Sequence, residues 1–284
     1  MLRTITINAI TQYIEDNIEK QPINTEKIVK FTGFSRRYVQ LHFKQYVGIS
    51  MGRYIQLRRI SRAAVLLKLT NLSLIDIADK LFYDSQQTFT REFRKNTGYT
   101  PCQYRKHKAW SFDNLMGYRC AGMHFPIPEI RYIDNISISG MHKKYKEIIP
   151  HTGTCSKLRW STINEFLVQK NTPVFISNKV QPAKKVNNEL EIYTVYWELD
   201  ECSNQKLFLP EGLYAYFRFK GEVNGYIRHI NNAYMNILPF YGLQKRDDYD
   251  VEIISKDNDE CFLFEYYLPV KNPFETSHFQ DVIL

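Results

Sequence analysis

The chain has 284 residues, a formal net charge of +8 and 44% hydrophobic residues, enough length and apolar content for two domains with cores. No run of about 18 apolar residues occurs, so no membrane-spanning helix is expected, and the start lacks the apolar stretch of a secretory signal. The five cysteines are odd in number and widely spaced, which indicates neither a disulfide framework nor a zinc site. This cysteine usage fits a reducing cytoplasm.

The positive charge is concentrated in one part of the chain. Residues 1–110 hold 19 lysines and arginines against 8 carboxylates, a balance of +11, whereas residues 111–284 hold 19 against 22, a balance of −3. A basic half joined to a nearly neutral half is typical of a nucleic-acid-binding domain followed by a domain with another role. Such a half can also lie on anionic lipid, but no helix shows apolar anchors outside a core pattern, so we expect no membrane contact.

One helical pattern occurs twice in the basic part, after a first helix predicted over residues 8–20. The first copy begins at residues 23–29, turns at Gly33-Phe34-Ser35 and continues in a helix over residues 36–44 that Ser35 can cap. The second copy begins at residues 74–78, turns at residues 82–84 and continues in a helix that Asp84 or Ser85 can cap. Corresponding residues are Phe43 and Phe93, Gly48 and Gly98, Ser50 and Thr100, and Tyr54 and Tyr104. The repeat predicts an all-α domain with tandem helix-turn-helix units.

A longer helix, from Met51 to Leu69, is predicted between the two copies and would fix their spacing. Successive major grooves on one side of DNA repeat every 34–36 Å or so, and we expect this helix to match that distance. Its arginines, Arg53, Arg58, Arg59 and Arg62, are expected to supply positive charge.

The last helix of each copy is expected to present a polar face opposite an apolar stripe. Phe89 and Phe93 are four residues apart and should face a core. The opposite face is a candidate reader of base edges, because glutamine can pair with adenine and arginine with guanine, and an ordinary solvated surface is the alternative. Leu41 in the first copy either touches a thymine methyl group or packs on the protein. The candidate DNA-contacting residues are Arg36, Arg37, Gln40, Leu41, Lys44, Gln86, Gln87, Thr90, Arg91 and Arg94.

After Trp110 the pattern changes to strands. Residues 111–128, with two glycines and two prolines, are interpreted as a junction, and residues 129–284 as a second domain. Strands are predicted at 130–140, 173–181, 190–199, 212–220, 249–255 and 261–269, with helices at 156–170 and 222–238. Because the order strand–helix–strand–strand occurs twice, we expect an α+β domain with an antiparallel sheet and two helices.

The first part resembles the AraC/XylS family of transcription regulators over residues 6–108. It carries the tail pattern Phe93-x-x-x-x-Gly98-x-Thr100-Pro101-x-x-Tyr104-Arg105, and residues 84–91 are similar to the Rob/MarA/SoxS subgroup. The resemblance implies monomeric binding to asymmetric double-stranded DNA, RNA polymerase as partner, and base or phosphate contacts by Gln86, Gln87, Thr90 and Arg91, with Gln40 reading in the first unit. The subgroup usually has Trp in place of Arg37 and Arg in place of Leu41. These departures concern the base preference of the first half-site.

The second part resembles the GyrI-like ligand-binding domains in its element order and its last strand. Glu265 shares a strand face with Leu263 and Tyr267, and the resemblance implies a pocket in which Glu265 balances a small cationic or amphipathic effector. Trp197, Tyr193, Tyr214 and Tyr216 are the candidate pocket aromatics. Alternatively, Glu265 pairs with a nearby lysine or arginine, or lies at a wet sheet edge.

These patterns predict a cytoplasmic DNA-binding transcription regulator, expected to activate stress or multidrug-resistance genes. We find no catalytic motif and no metal-ligand spacing, so an enzyme, a cofactor and a metal site are not expected. The alternatives for the second domain are an effector-free protein-interaction module and a GyrI-like hydrolase.

Overall fold

The computed structural model describes residues 2–108, 110–112, 114–119, 127–148, 157–170, 172–184, 189–198, 206–258 and 261–271. These residues form two compact units. The first unit contains residues 2–68, 72–106 and 114–119. The second contains residues 69–71, 107–108, 110–112 and the described residues from 127 onward. Gly122 and Pro126 of the expected junction lie outside the described residues, as do Cys120, Cys155 and Cys202, whereas Cys102 and Cys261 are free thiols.

The first unit is helical, and its tandem helix-turn-helix arrangement confirms the prediction. Its helices are α1 (Leu2–Asn17), α2 (Thr25–Thr32), α3 (Arg36–Val47), α4 (Met51–Leu69), α5 (Leu74–Lys80), α6 (Gln86–Thr97) and α7 (Pro101–Lys106). The prediction for α1 was wrong about its start. Ile7 is buried together with Ile10, Ile14 and Ile18, so the apolar stripe begins at the residue before the predicted start, Asn8.

The two copies have the same local chemistry. Ser35 accepts a hydrogen bond from the Tyr38 amide at 3.2 Å, and Ser85 accepts one from the Thr88 amide at 3.1 Å, so serine caps both α3 and α6. Both helices end at a glycine in the left-handed region, with φ 86° at Gly48 and 77° at Gly98.

The core contacts of the two copies also correspond. The Phe43 and Tyr54 rings meet edge to face at 5.4 Å, and the Phe93 and Tyr104 rings do so at 5.3 Å. The copies differ at the turn. Gly33 supplies the left-handed residue in the first, whereas Phe82 does so in the second with φ 57°. Three residues separate Phe82 from α6 and two separate Gly33 from α3, so the second turn is one residue longer.

Helix α4 is buried along most of its length, and this corrects the expectation for its arginines. Arg58 is only 4% exposed, and it donates to the two carboxylate oxygens of Glu15 on α1 at 2.7 and 2.6 Å. Arg62 forms an ion pair with Glu19. These two guanidinium groups neutralise carboxylates of α1, so they are not free positive charge. Arg53 is the exposed one of the four.

A short segment after α7 is bonded to α4. Met116 donates its amide to the Ser61 hydroxyl at 2.7 Å, and its carbonyl accepts a hydrogen bond from Arg58. The Arg119 amide donates to the Tyr54 hydroxyl at 3.2 Å. Residues 114–119, interpreted from the sequence as junction, therefore contact the core of the first unit.

The second unit is an α+β domain, as predicted. Its elements are β1 (Glu129–Ile133), β2 (Ile136–Ile148), α8 (Lys157–Lys170), β3 (Val174–Pro182), β4 (Glu189–Trp197), β5 (Lys206–Leu209), β6 (Gly212–Gly221), α9 (Val223–Asn232), a π-helical turn (Ala233–Ile237), α10 (Leu238–Phe240), β7 (Asp250–Lys256) and β8 (Phe262–Pro269). The strands form one antiparallel sheet in the order β1-β6-β8-β7-β3-β4-β2-β5.

Three elements differ from the sequence prediction. The single strand expected at 130–140 is two strands, because the chain breaks at Asn135, whose side chain bonds the amide and the carboxylate of Glu211. The four-residue strand β5 was not predicted, since it is too short to show a period. The helix expected over 222–238 becomes π-helical after Asn232.

Helices α8 and α9 both cover one face of the sheet. Trp160 of α8 meets Phe262 at 5.0 Å, and Tyr226 of α9 stacks on Phe264 at 3.9 Å. Successive residues of a strand point to opposite faces, so the residues that alternate with Phe262 and Phe264 belong to the other face of the sheet. We call this the open face. It carries an apolar cluster of Ile138, Val195, Leu207, Leu209, Tyr214 and Val251.

The buried Arg58–Glu15 pair generates a stability prediction. Glu15→Ala should destabilise the first unit by about 3 kcal/mol, because it leaves a buried guanidinium without its counter-charge. Hydrogen exchange, followed by mass spectrometry on α1 and α4 peptides, should then be faster. Asp16→Ala is the matched control, since this exposed carboxylate accepts a hydrogen bond from Gln12 of the same helix. Equal exchange in both variants would show that the pair is not needed.

Candidate nucleic-acid interface and ligand face

The polar side of α6 forms an open groove. Phe89 and Phe93 are fully buried behind it, as the four-residue spacing predicted. The groove is lined by Gln86, Gln87, Thr90, Arg91, Arg94, Lys95 and Thr100. All five candidates of the second unit are thus brought together on one surface.

Two residues of this groove were missed by sequence reasoning. Lys95 is exposed in the last turn of α6, and Thr100 lies just before α7. Thr100 could have been found from the repeat, where it corresponds to Ser50. It lies at the groove because the chain turns at Gly98, after the end of α6. No acidic side chain lies in the first turn of α6, so its free amides and dipole favour an anion such as phosphate.

Helix α3 presents the candidates of the first unit on its outer side. Val39 and Phe43 are buried, whereas Arg36, Arg37, Gln40 and Lys44 are exposed. Leu41 is 61% exposed, so most of its side chain does not pack on the protein. An exposed leucine among cationic and amide groups can contact a thymine methyl group.

In the second unit, the strand register places all five candidate ligand residues on the open face. Directly opposed residues of antiparallel strands share a face, and alternate residues of one strand do too. Tyr216 opposes Tyr267, which opposes Val251. Val251 opposes Ser177, which opposes Val195. Every second residue of these strands shares the same face, which places Glu265, Tyr214, Trp197 and Tyr193 on it as well.

The five residues do not form one cluster, however. Tyr214 is fully buried in the apolar cluster of the open face. Trp197 stacks on Phe175 and donates to the Ser177 hydroxyl at 2.9 Å. Tyr193 lies near Lys144, whose ammonium is 5.1 Å from its ring. Trp197 also packs against the apolar cluster that contains Tyr214. Glu265 and Tyr216 are in direct contact, with the Tyr216 hydroxyl 2.5 Å from the carboxylate.

The surroundings of Glu265 contradict both alternatives considered for it. Strand β8 lies between β6 and β7, so Glu265 is not at a sheet edge. Among the described residues, no lysine or arginine lies within 4.0 Å of its carboxylate. Burial and the hydrogen bond to Glu265 raise the pKa of Tyr216 to about 12, so its hydroxyl stays protonated and donates.

Other carboxylates of the domain already have a cationic partner. Glu252, on the helix-covered face, bonds Arg159 at 2.8 Å. Asp250, on the same face, is paired with Lys245 at 2.9 Å. Glu191 is paired with Lys144 at 2.7 Å. Glu265, like Asp250 and Glu191, accepts a hydrogen bond from a tyrosine hydroxyl, but it differs from them in having no ion pair with a described lysine or arginine.

Sequence reasoning also missed Arg131. Its guanidinium lies 3.4 Å from the centre of the Tyr216 ring, and its Nη1 donates to the Tyr267 hydroxyl at 3.0 Å. Arg131 and Tyr216 are more than eighty residues apart in the sequence, and the pairing of β1 with β6 brings them together.

Comparison with known proteins fits this arrangement. A helix-turn-helix domain model matches residues 28–107, and a GyrI-like small molecule binding domain model matches residues 128–271. The F1 operon positive regulatory protein of Yersinia pestis is 44% identical over 271 residues, which cover 95% of this chain and 89% of that protein. The chain belongs to the AraC-type, Rob-like transcription regulators.

Two further relatives of this regulator span different shares of it. The right origin-binding protein of Escherichia coli K12 is 29% identical over 252 residues, or 84% of this chain and 86% of that protein. The multiple antibiotic resistance protein MarA of Salmonella typhimurium is 38% identical over 101 residues, or 36% of this chain and 79% of that protein. In the described part of the regulator, no helix is long and apolar enough to span a membrane.

The groove of α6 generates a prediction for DNA recognition. Gln87→Ala and Arg91→Ala should each weaken binding to a selected site by about 1–3 kcal/mol relative to random duplex, because each would remove a base contact. The measurement is fluorescence anisotropy with both duplexes, after selection of bound DNA from a random pool. Gln12→Ala on α1 is the control and should bind both like wild type. An equal loss on both duplexes would mean that these side chains contact only phosphates.

Proposed function

We propose that this regulator activates transcription by placing α3 and α6 in successive major grooves on one side of double-stranded DNA, as a monomer. The observation that carries the proposal is the recurrence of one capped, polar-faced helix at the two ends of a buried connecting helix. Helix α4 has 19 residues and is about 28 Å long, comparable with the groove repeat of about 34 Å. The name of the Yersinia pestis relative, a positive regulatory protein, supports activation, and RNA polymerase is the partner that activation requires.

Base reading and backbone contact are assigned to different side chains. Gln40, Gln87 and Arg91 read base edges, since amides and guanidinium groups can make paired hydrogen bonds there. Arg36, Arg37, Lys44, Arg94 and Lys95 contact phosphates and set the orientation on the duplex. Gln86 and Thr90 contact either a base or a phosphate, and Leu41 contacts a thymine methyl group.

The target genes are proposed to serve stress or drug resistance, and the name of the MarA relative, a multiple antibiotic resistance protein, supports drug resistance. The protein then acts in the cytoplasm, where its DNA is. Its second domain is proposed to bind a small cationic or amphipathic effector on the open face, with Glu265 as counter-charge and Tyr216 beside it. Trp197, Tyr193 and Tyr214 shape the same face.

The competing function for the second domain is protein interaction without an effector. The observation against it is Glu265, a partly covered carboxylate of an interior strand with no cationic partner among the described residues. A thermal-shift screen with organic cations separates the two, because a ligand that binds only the native state raises its melting temperature.

DNA binding should weaken steeply with salt. Between about 50 and about 200 mM salt we expect a loss of about 500-fold in affinity, which corresponds to roughly five phosphate contacts. Lys95→Ala should reduce the slope by about one unit, whereas Arg3→Ala on α1 should leave it unchanged. Titration of a selected duplex at four salt concentrations measures this. A flat dependence would contradict the proposal for the basic half.

Glu265→Gln tests the effector site. It keeps the shape and removes the charge, so binding of tetraphenylphosphonium should weaken about tenfold or more, while binding of neutral triphenylphosphine oxide changes little. Calorimetry measures both, with Glu222→Gln, an exposed carboxylate before α9, as the charge-matched control. If Glu265→Gln binds the cation as tightly as wild type, Glu265 has a structural role.

A further inference from the structure

The face of the Tyr216 ring, beside Glu265, is already covered by the guanidinium group of Arg131. The Arg131 guanidinium lies 3.4 Å from the centre of the Tyr216 ring and 5.7 Å from that of Tyr267. The face of a tyrosine ring attracts cations through its quadrupole. The same Tyr216 donates its hydroxyl to Glu265, so ring and carboxylate together form the place where an organic cation would bind.

We propose that Arg131 is a tethered competitor for this place, and that a cationic effector must displace its guanidinium to bind. Arg131 is then a specificity-determining residue. Cations that bind too weakly to displace the Arg131 guanidinium then do not occupy the site. This inference rests on the proposed effector site.

The anchoring of Arg131 permits such a displacement. Its Nε and Nη2 donate to the Glu129 carboxylate at 2.8 and 3.0 Å. The Glu129 side chain is 58% exposed, and exposed ion pairs are weak. Both residues lie on β1, which is at the edge of the sheet formed by the described strands and pairs there with β6. Arg131 can therefore leave the ring while keeping Glu129 as its partner in water.

The opposite role for Arg131, recruitment of an anionic ligand, is less favoured by these contacts. Its Nε, Nη1 and Nη2 already donate to Glu129 and Tyr267. An anion would have to replace the Glu129 carboxylate and would also approach the carboxylate of Glu265. A cation replaces one positive charge by another and leaves the charge balance of the site unchanged.

The test uses Arg131→Gln with two probes of one shape, tetraphenylphosphonium and tetraphenylborate. If Arg131 occupies the site about 80–90% of the time, its removal should tighten phosphonium binding about five- to tenfold, because the apparent dissociation constant is inversely proportional to the free fraction. Arg131→Met, which keeps the packing of the stem, should act in the same direction. Isothermal titration calorimetry on the full chain measures all affinities, and an unchanged near-ultraviolet circular dichroism spectrum confirms folding.

Arg218→Gln is the matched control for charge alone. Arg218 is exposed on β6 and directly opposes Glu265 in the strand register, but it does not cover the Tyr216 ring. It should change phosphonium binding less than twofold, by about the effect of one screened surface charge. An equal gain from Arg218→Gln would overturn the proposal, because general electrostatics would then explain the effect.

The remaining outcomes separate this inference from the effector site. If wild type binds the phosphonium through Glu265 but Arg131→Gln binds it no tighter, Arg131 is not a competitor and the site stands. If Arg131→Gln instead weakens tetraphenylborate binding and leaves the phosphonium unchanged, Arg131 recruits anions. If wild type and both Arg131 variants all fail to bind the phosphonium, the effector site and the competitor are both wrong.

Discussion

The first unit depends on one helix that belongs to two cores. The start of α4 contributes Met51, Tyr54 and Ile55 to the core of the first helix-turn-helix. Its end accepts a hydrogen bond at the Leu67 carbonyl from Arg105 of α7, so it also holds the second. A helix buried on so many sides cannot send its long cationic side chains to solvent. Arg58 and Arg62 therefore need Glu15 and Glu19, and α1 is fixed against α4 by charge as well as by its isoleucines.

This arrangement joins the two candidate reading helices, α3 and α6, through α4 within the unit. Each is capped by serine and stopped by a left-handed glycine, and each presses a phenylalanine against a tyrosine of the next helix. Because the apolar sides of α3 and α6 are buried in this packing, their polar faces remain on the surface. The proposed base reading is thus compatible with the packing, because the same four-residue spacing that buries Phe89 and Phe93 turns Gln87 and Arg91 outward.

The features that could be predicted from the sequence are local. The repeat follows from a period of fifty residues, and the caps and five of the seven residues that line the α6 groove follow from spacings within a dozen residues. What could not be predicted depends on pairing between distant strands or helices. From the sequence alone, Arg58 is expected to be a surface charge, because nothing local shows that it pairs with Glu15. No sequence pattern marks Arg131 either, because its position depends on the pairing of β1 with β6. Likewise, alternation placed Glu265 on a strand face, but only the sheet order shows that its strand is interior.

The hydrogen bonds of Met116 also determine where the DNA reader ends as a folding unit. A fragment cut after α7, at Lys108, would contain every helix of the two helix-turn-helix units. It would nevertheless lose the carbonyl that accepts from buried Arg58, the amide that donates to Ser61, and the Arg119 amide at Tyr54. Buried groups deprived of such partners are costly, so the shortest well-folded reader should extend to Arg119. Residues 114–119 then belong to the reader although none of them lies in a helix.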